Sequence, residues 1–143
     1  MPEQKPELPP AEQPNYSGLA SFRLALRQFV GFSQQAAKEA GLPPQQHQTI
    51  LAIKGLAGDK GMTISELAAC MLLKHHTTVE LVDRLVKADL VSRTPDPADR
   101  RFIRLTLTEK AEDILAPLTL RHMAEIRRNA PHIIALLKQI SSE

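Results

Sequence analysis

The sequence predicts a mainly α-helical protein with one small β-hairpin, an α+β chain of 143 residues. Over most of its length, apolar residues recur at the spacing of one helix face. Residues 102–108 alternate instead between apolar and polar side chains, and a loop rich in Pro and Asp precedes them. Hydrophobic residues make up 43% and aromatic residues only 3%, so a core can form and aliphatic side chains must fill it.

The composition excludes several classes of protein. The single cysteine, Cys70, rules out an internal disulfide and a four-cysteine zinc site. No apolar run approaches the ~18 residues that a membrane span needs, and residues 1–14 lack the apolar region of a signal peptide. We therefore expect a soluble, cytoplasmic protein with no membrane partner.

The surplus of basic residues lies in the middle of the chain. The formal net charge is only +2, and the segments 1–40 and 109–143 are each balanced. Residues 41–108 hold nine basic and seven acidic residues, so the whole surplus lies there. An anionic partner is therefore expected to bind this segment.

The N-terminal part is predicted to be an arm followed by a helix. Residues 1–17 are Pro-rich and offer too little apolar surface to offset the entropy of ordering, so a flexible arm is expected, with a docking peptide as the alternative. A helix is predicted over residues 18–40. Its apolar stripe comprises Leu19, Phe22, Leu26, Phe29 and Val30. Leu24 and Phe32 lie off that stripe, which indicates either a second face toward a partner subunit or one wide buried face.

Three shorter helices are predicted next. The first spans residues 44–57. The second begins at Thr63, where the T-x-x-E pattern that ends at Glu66 is a capping box, and it ends near Met71. The third spans residues 75–88. A short capped helix, a tight turn and a longer amphipathic helix together indicate a helix-turn-helix motif.

The period of the pattern then changes. Leu90–Thr94 and Phe102–Thr108 are predicted to be the strands of a hairpin, whose Pro- and Asp-rich loop projects as a wing. Thr108 is predicted to cap a long helix. A proline inside a helix removes a hydrogen bond and clashes with the preceding turn, so Pro117 predicts a kink or break. Pro131 predicts a further interruption, followed by a last helix.

The run Lys74-His75-His76-Thr77-Thr78 is an unusual way to start a helix. A helix N-terminus carries a positive partial charge, so Lys74 and a protonated His are disfavoured there unless an anion lies nearby. Thr and His side chains can hydrogen-bond to base edges or phosphates, so this helix is predicted to enter the major groove of double-stranded DNA. The alternative is a solvated helix start that tolerates poor capping.

The predicted wing carries Asp99-Arg100-Arg101 at its far end. Arginine binds phosphates and suits a narrow minor groove, where the negative potential is enhanced. Asp99 reduces the local positive charge, but its carboxylate can orient one guanidinium through paired hydrogen bonds. The alternative is an exposed ion pair without a function, worth under ~1 kcal/mol.

Several segments together resemble the MarR family of bacterial transcription regulators. They are Leu67-Ala68 through Val79, Leu81-Val82-Asp83-Arg84-Leu85, Leu90-Val91-x-Arg93, Asp99-Arg100-Arg101 and Leu105-x-Leu107-Thr108. The resemblance covers about residues 18–140. It implies a winged helix-turn-helix DNA-binding domain over 43–108, flanked by dimerisation helices within 18–42 and 109–143. It further implies a homodimer that represses a pseudo-palindromic operator and is released by a small-molecule effector or by oxidation.

The resemblance also implies a reading surface on the predicted helix 75–88. His76, Thr77 and Thr78 match recognition-helix positions that face the major groove. Lys74 and His75 match the entry of that helix, where Ser and Pro are commoner in the family, so the operator sequence is left open.

Contacts to the DNA backbone are implied as well. Arg101 matches the wing arginine that the family places in the minor groove, and Asp99 matches the acid that orients it. The expected phosphate contacts are Ser65, Lys74, Arg84 and Arg100. The family's effector pocket lies between the dimer helices and the DNA-binding lobe, and the sequence pattern leaves its lining residues unknown.

Two other functions stay open. Cys70 lies among apolar residues, and a buried structural thiol is expected because free cysteine is among the most buried residue types. A redox or ligand sensor acting through Cys70 is one alternative function. A protein–protein adaptor, with the Pro-rich arm as bait, is the other. Catalytic motifs are absent and the histidines lack the spacing of metal ligands, so we expect no enzyme, no cofactor and no metal.

Overall fold

The computed structural model describes residues 13–141 and forms a mainly α-helical fold with one antiparallel hairpin, as predicted. The helices are Tyr16–Glu39 (α1), Pro44–Ala57 (α2), Ile64–Met71 (α3), His75–Lys87 (α4) and Glu109–Ser141 (α5), and the strands are Val91–Pro95 (β1) and Ile103–Leu107 (β2). A short 3-10 turn at Gly58–Lys60 separates α2 from α3. Most of the predicted Pro-rich arm, residues 1–12, lies outside the described residues.

Helix α1 begins at Tyr16, two residues before the predicted start, because Asn15 caps it. The side-chain oxygen of Asn15 accepts a hydrogen bond from the Gly18 amide at 2.8 Å. Gly18 is buried, and a Cβ atom at this position would lie 2.9 Å from Cγ1 of Ile140. The absence of a side chain therefore lets the start of α1 pack closely against the end of α5.

The helix-turn-helix unit forms as its capping signals predict. Thr63 Oγ1 accepts from the Glu66 amide, and a Glu66 carboxylate oxygen accepts from the Thr63 amide, both at 3.2 Å. Helix α3 ends at Met71, and its C-cap Leu72 adopts the left-handed conformation with φ 54°. The turn then leads directly into α4. Leu67 of α3 and Leu85 of α4 are fully buried in the same core.

The hairpin is joined to the segment that precedes α3. Strands β1 and β2 pair antiparallel, with Val91 opposite Leu107. Met62 adds a bridge to Leu105, whose amide and carbonyl both bond the Met62 backbone, at 2.7 and 3.1 Å. Gly61 has φ +78°, and a Cβ there would lie 2.4 Å from the Leu105 carbonyl oxygen, so this approach requires glycine. Main-chain hydrogen bonds therefore connect the wing to the helix-turn-helix.

Thr108 is the single residue between β2 and α5. Its hydroxyl donates to the Asp89 carbonyl at 2.7 Å and accepts from the Ala111 amide at 3.2 Å. Its own amide donates to the Leu90 carbonyl at 3.1 Å. The predicted cap is thus present, and it also ties the start of α5 to the end of α4.

Helix α5 corrects the prediction of separate C-terminal helices. It continues through Pro117 and Pro131 to Ser141, although an interior proline costs about 3 kcal/mol. Both prolines lie on the exposed side, where water can bind the carbonyl groups that lose their amide partners. The opposite side buries Leu115, Leu118 and Leu136, and this packing outweighs the local preference to break.

A large apolar surface remains exposed on α1 and α5. We call it the terminal apolar surface, and it comprises Leu19, Leu24, Leu26 and Val30 of α1 with Leu120, Met123, Ile126, Ile134, Leu137 and Ile140 of α5. Much of the predicted α1 stripe thus stays accessible in the single chain. The alternative of one wide buried face is therefore wrong for the chain by itself. Among residues 13–141, no helix is long and apolar enough to span a membrane.

Candidate nucleic-acid interface

The start of α4 exposes polar and basic groups. Lys74, the N-cap, has an extended backbone and its side chain forms no capping hydrogen bond. Lys74, His75 and His76 are exposed, and Thr77 is half-buried. The first amides of α4 therefore lack a side-chain acceptor, and the positive end of the helix dipole favours an anion at this position.

Thr78 does not belong to this exposed face, which corrects its assignment as a major-groove residue. It is fully buried, and its hydroxyl donates to the Lys74 carbonyl at 2.9 Å. The buried residues of α4 are Thr78, Leu81, Val82 and Leu85. Their i, i+3, i+4, i+7 spacing makes Thr78 the first residue of the core-facing stripe. Extending the leucine stripe back by one turn would have revealed this from the sequence.

The other predicted backbone contacts are accessible. Ser65 lies in the first turn of α3, Arg84 lies on α4 and Arg100 lies at the wing tip, and all three are exposed. Asp83 of α4 forms an ion pair with Arg93 of β1. This exposed pair connects α4 to β1 at the surface, where an ion pair contributes little to stability.

Asp99 holds Arg101 at the tip of the wing. The Arg101 guanidinium donates from Nε to Oδ1 at 3.0 Å and from Nη2 to Oδ2 at 2.7 Å. The Arg101 amide also donates to Oδ1 at 3.1 Å. These bonds lower the pKa of Asp99 and raise that of Arg101, so both groups stay charged. The Arg101 side chain is 86% exposed, so its orientation is fixed while its outer face is free for a ligand.

Asp96 organises the same loop, although the sequence pattern predicts only a turn former at this position. Its Oδ1 accepts from the amides of Ala98 and Asp99 at 2.7 and 3.1 Å, and its Oδ2 accepts from Arg104 Nε. These hydrogen bonds, that of Arg104 first, lower the pKa of Asp96 to about 2. The carboxylate is therefore charged, although the residue is buried.

The Cys70 side chain corrects another expectation. The thiol was expected to be buried, but Cys70 is exposed. Leu67 and Ala68 form the buried side of α3, and Cys70 falls outside the arc that they occupy on the helix. A short helix packed on one side leaves most of its circumference to solvent, so local apolar composition overestimated the burial of this residue.

Two histidines that are distant in the sequence meet at the junction of α1, α2 and α5. His47 and His122 are both buried. His122 Nδ1 lies 2.7 Å from the Leu118 carbonyl, which can only accept, so Nδ1 carries the proton and Nε2 accepts from the Ser33 hydroxyl at 2.8 Å. Within residues 13–141, groups of three or more metal-ligating side chains do not occur. Local spacing gives no signal for this contact.

This chain is similar in sequence to a known protein family and to a regulator from Bacillus subtilis. The model of the MarR family matches residues 40–101. The uncharacterized HTH-type transcriptional regulator YsmB of Bacillus subtilis (strain 168) is 32% identical over 114 residues, which cover 76% of this chain and 75% of that protein. The match thus extends well beyond the helix-turn-helix segment.

Two solved structures are similar in fold. CouR from Rhodococcus jostii RHA1, bound to p-coumaroyl-CoA, has a TM-score of 0.67 at 24% identity. The aligned region covers 90% of this chain and 93% of the CouR chain. A mutant of MepR from S. aureus, bound to an oligodeoxyribonucleotide, has a TM-score of 0.62 at 21% identity and covers 91% of this chain and 99% of its own. At these identities the likeness concerns the fold.

The hairpin beside α3 and α4 defines the chain as a winged helix-turn-helix protein. The extent and identity of the sequence matches then specify the group: the chain belongs to the MarR family. Its members are transcription regulators, which agrees with the expectation that this chain is not an enzyme.

Proposed function

We propose that this chain acts as a homodimer that binds a pseudo-palindromic operator and represses transcription until a small-molecule effector releases it. The proposal rests on the arrangement of Asp99 and Arg101 at the wing tip. Arg101 projects into solvent there, while Asp99 holds the guanidinium by two hydrogen bonds. Such a cation has no part in the core, and it is pre-oriented for the minor groove or a phosphate.

We assign base reading to the exposed start of α4. His75, His76 and Thr77 present hydrogen-bonding groups near the helix N-terminus, the part of a recognition helix that reaches base edges. Thr78 is omitted because it is buried. The proposed phosphate contacts are Ser65, Lys74, Arg84 and Arg100, which are all exposed.

The terminal apolar surface supports the homodimer. Ten large apolar side chains of α1 and α5 are exposed in this surface, and large exposed apolar surfaces usually mark an interaction site. Because α1 and α5 both contribute, a two-fold axis next to them would bury the surface against its own copy. The dimer would then present two wings and two α4 helices to half-sites about 10 base pairs apart.

A small-molecule effector is supported by the structural neighbour CouR, which was solved with p-coumaroyl-CoA. DNA binding is supported by the neighbour MepR, whose mutant was solved with an oligodeoxyribonucleotide. We carry both properties to this chain as parts of the proposal.

The test is selection of bound sequences from a random duplex library by the full-length protein, at two salt concentrations. We expect an inverted repeat to be enriched and its affinity to fall at high salt, because phosphate contacts release counterions. Arg101→Ala serves as the matched variant and should enrich the repeat less. A dimer that enriches no sequence would overturn operator binding and favour the adaptor alternative, for which a partner screen is the next experiment.

Cys70 carries a second candidate function. Its exposure satisfies one requirement of a redox or ligand sensor, which the buried thiol expected from the sequence would not. If this function holds, peroxide should lower the affinity of the native dimer for the enriched duplex, whereas Cys70→Ser should keep its affinity. Equal affinity of the oxidised and reduced wild-type protein would reject the sensor.

A further inference from the structure

The side chain of Arg104 joins three parts of the molecule that are separate in the sequence. Arg104 is the second residue of β2, and its side chain is only 16% exposed. Its Nε donates to Asp96 in the wing loop. Its Nη1 lies 3.4 Å from the Gly61 carbonyl oxygen and 3.8 Å from Oε2 of Glu66 in α3. We infer that Arg104 is a positioning residue, which fixes the wing tip relative to the helix-turn-helix and so sets where Arg101 meets DNA.

Asp96 shapes the wing loop and is held by Arg104. Its buried carboxylate requires a partner, because an unpaired buried charge is costly. Arg104 supplies that partner on one oxygen, while the other oxygen accepts the amides of Ala98 and Asp99. The shape of the loop that presents Asp99 therefore depends on Asp96, and the Arg104 guanidinium holds the Asp96 carboxylate in place.

The Arg104 guanidinium also reaches Gly61 and Glu66, next to the start of α3. Glu66 belongs to the capping box of α3, so its carboxylate is held by the Thr63 amide. Gly61 lies against the Leu105 backbone and has no room for a side chain. Arg104 therefore connects the wing loop to the capped start of α3 and to the closely packed backbone at Gly61.

Arg104 and Arg101 differ in their access to a ligand. Arg104 is largely enclosed and its guanidinium already faces two carboxylates and a carbonyl, whereas Arg101 is 86% exposed. We therefore assign the phosphate or groove contact to Arg101 and the orientation of that contact to Arg104. This inference rests on the proposed DNA-binding function.

A double-mutant cycle between Arg101 and Arg104 tests it. Binding of the full-length dimer to a fluorescein-labelled, mixed-sequence duplex would be measured over a range of salt concentrations. We expect Arg101→Ala to weaken binding about tenfold and to lower the salt slope by about one. Arg104→Met should cause nearly the same two changes. In the Arg101→Ala background, Arg104→Met should weaken binding by less than about twofold, because the contact that it positions is already lost.

Arg93→Met is the matched control, because it removes another hairpin arginine and its ion pair with Asp83 without touching Asp96. Its effect should be the same in both backgrounds. Arg104→Lys, which keeps a cation beside Asp96, should retain part of the coupling and replaces Arg104→Met if that variant does not fold.

The outcomes separate the two proposals. If Arg101→Ala binds like the wild type, the proposed wing contact fails and the positioning role fails with it. If Arg101→Ala weakens binding but Arg104→Met adds its full effect to that variant, the wing contact stands and the positioning role is overturned. Equal coupling of Arg93 and Arg104 to Arg101 would also overturn it, because the effect would then belong to the hairpin as a whole.

Discussion

The imidazole rings of His47 and His122 lie against each other with their centroids 4.9 Å apart, and they join α2 to α5. Phe29 and Phe32 of α1 contact the His122 ring edge to face, so aromatic rings fill this junction. His122 uses both of its nitrogens, whereas neither nitrogen of His47 has a hydrogen-bond partner among the described residues. Burial, and next the neighbouring His122, lower the pKa of His47.

We expect mild acid to destabilise this junction. Because the pKa of His47 is lower in the folded chain than its ordinary value of 6.5, the unfolded chain binds more protons between the two values. The stability that the neutral ring contributes is complete above about pH 6.5 and is lost as the pH falls through that window. Chemical denaturation from about pH 8 to 5 should show an extra slope of at most about 1.4 kcal/mol per pH unit.

His47→Leu should remove this part of the slope, and the exposed His132 gives the matched control His132→Leu. If the slope persists in His47→Leu but disappears in His132→Leu, the assignment to the buried ring is wrong.

Arg101→Ala should weaken operator binding and lower the salt slope by about one unit, as expected for the loss of one phosphate-type contact. Lys38→Ala removes an exposed cation at the end of α1 and should leave both quantities unchanged. Fluorescence anisotropy at four or more salt concentrations would measure the slopes. Equal slopes for Arg101→Ala and the wild type would contradict a wing contact.

Thr77 and Thr78 should behave differently although they are neighbours. Thr77→Ala should change which bases are enriched in the sequence selection, because Thr77 belongs to the proposed reading face. Thr78→Val should leave base preference unchanged and lower the free energy of unfolding by about 1 kcal/mol, since it removes a hydrogen bond inside the core. A changed preference in Thr78→Val, with unchanged stability, would reverse the assignment.

Leu26→Glu should convert the proposed dimer into monomers, because it places a charge in the terminal apolar surface. Sedimentation equilibrium would measure the mass. Leu56 is also exposed but lies at the end of α2, so Leu56→Glu is the matched control and should remain dimeric. Dissociation by Leu56→Glu alone would move the interface away from α1 and α5.

Local signals predicted most element boundaries to within two residues. The capping box at Thr63 and Glu66 and the cap at Thr108 are written in adjacent residues, and the structure realises both. The strand alternation likewise gave the hairpin. Such features depend on backbone groups within one turn, so the sequence carries them directly.

The predictions from sequence were wrong at positions where packing between distant residues determines the structure. The phase of the buried stripe on α4 determines that Thr78 points inward, and the burial of α5 carries that helix through Pro117 and Pro131. Arg104 contacts Gly61 and Asp96 only after the hairpin has closed onto the segment before α3. These contacts are made between residues that are distant in the sequence, so no short sequence motif predicts them.

The single residue that connects β2 to α5 fixes the rotation of α5 about its axis relative to the hairpin. Because Thr108 is bonded to both sides of the joint, there is no slack that could absorb a change in chain length. One residue inserted there would turn α5 by about 100° relative to the hairpin. In the proposed dimer, each wing would remain intact while the two wings faced different turns of the duplex. In that proposed dimer, the length of this joint would set the distance between half-sites as much as the side chains of the subunit interface would.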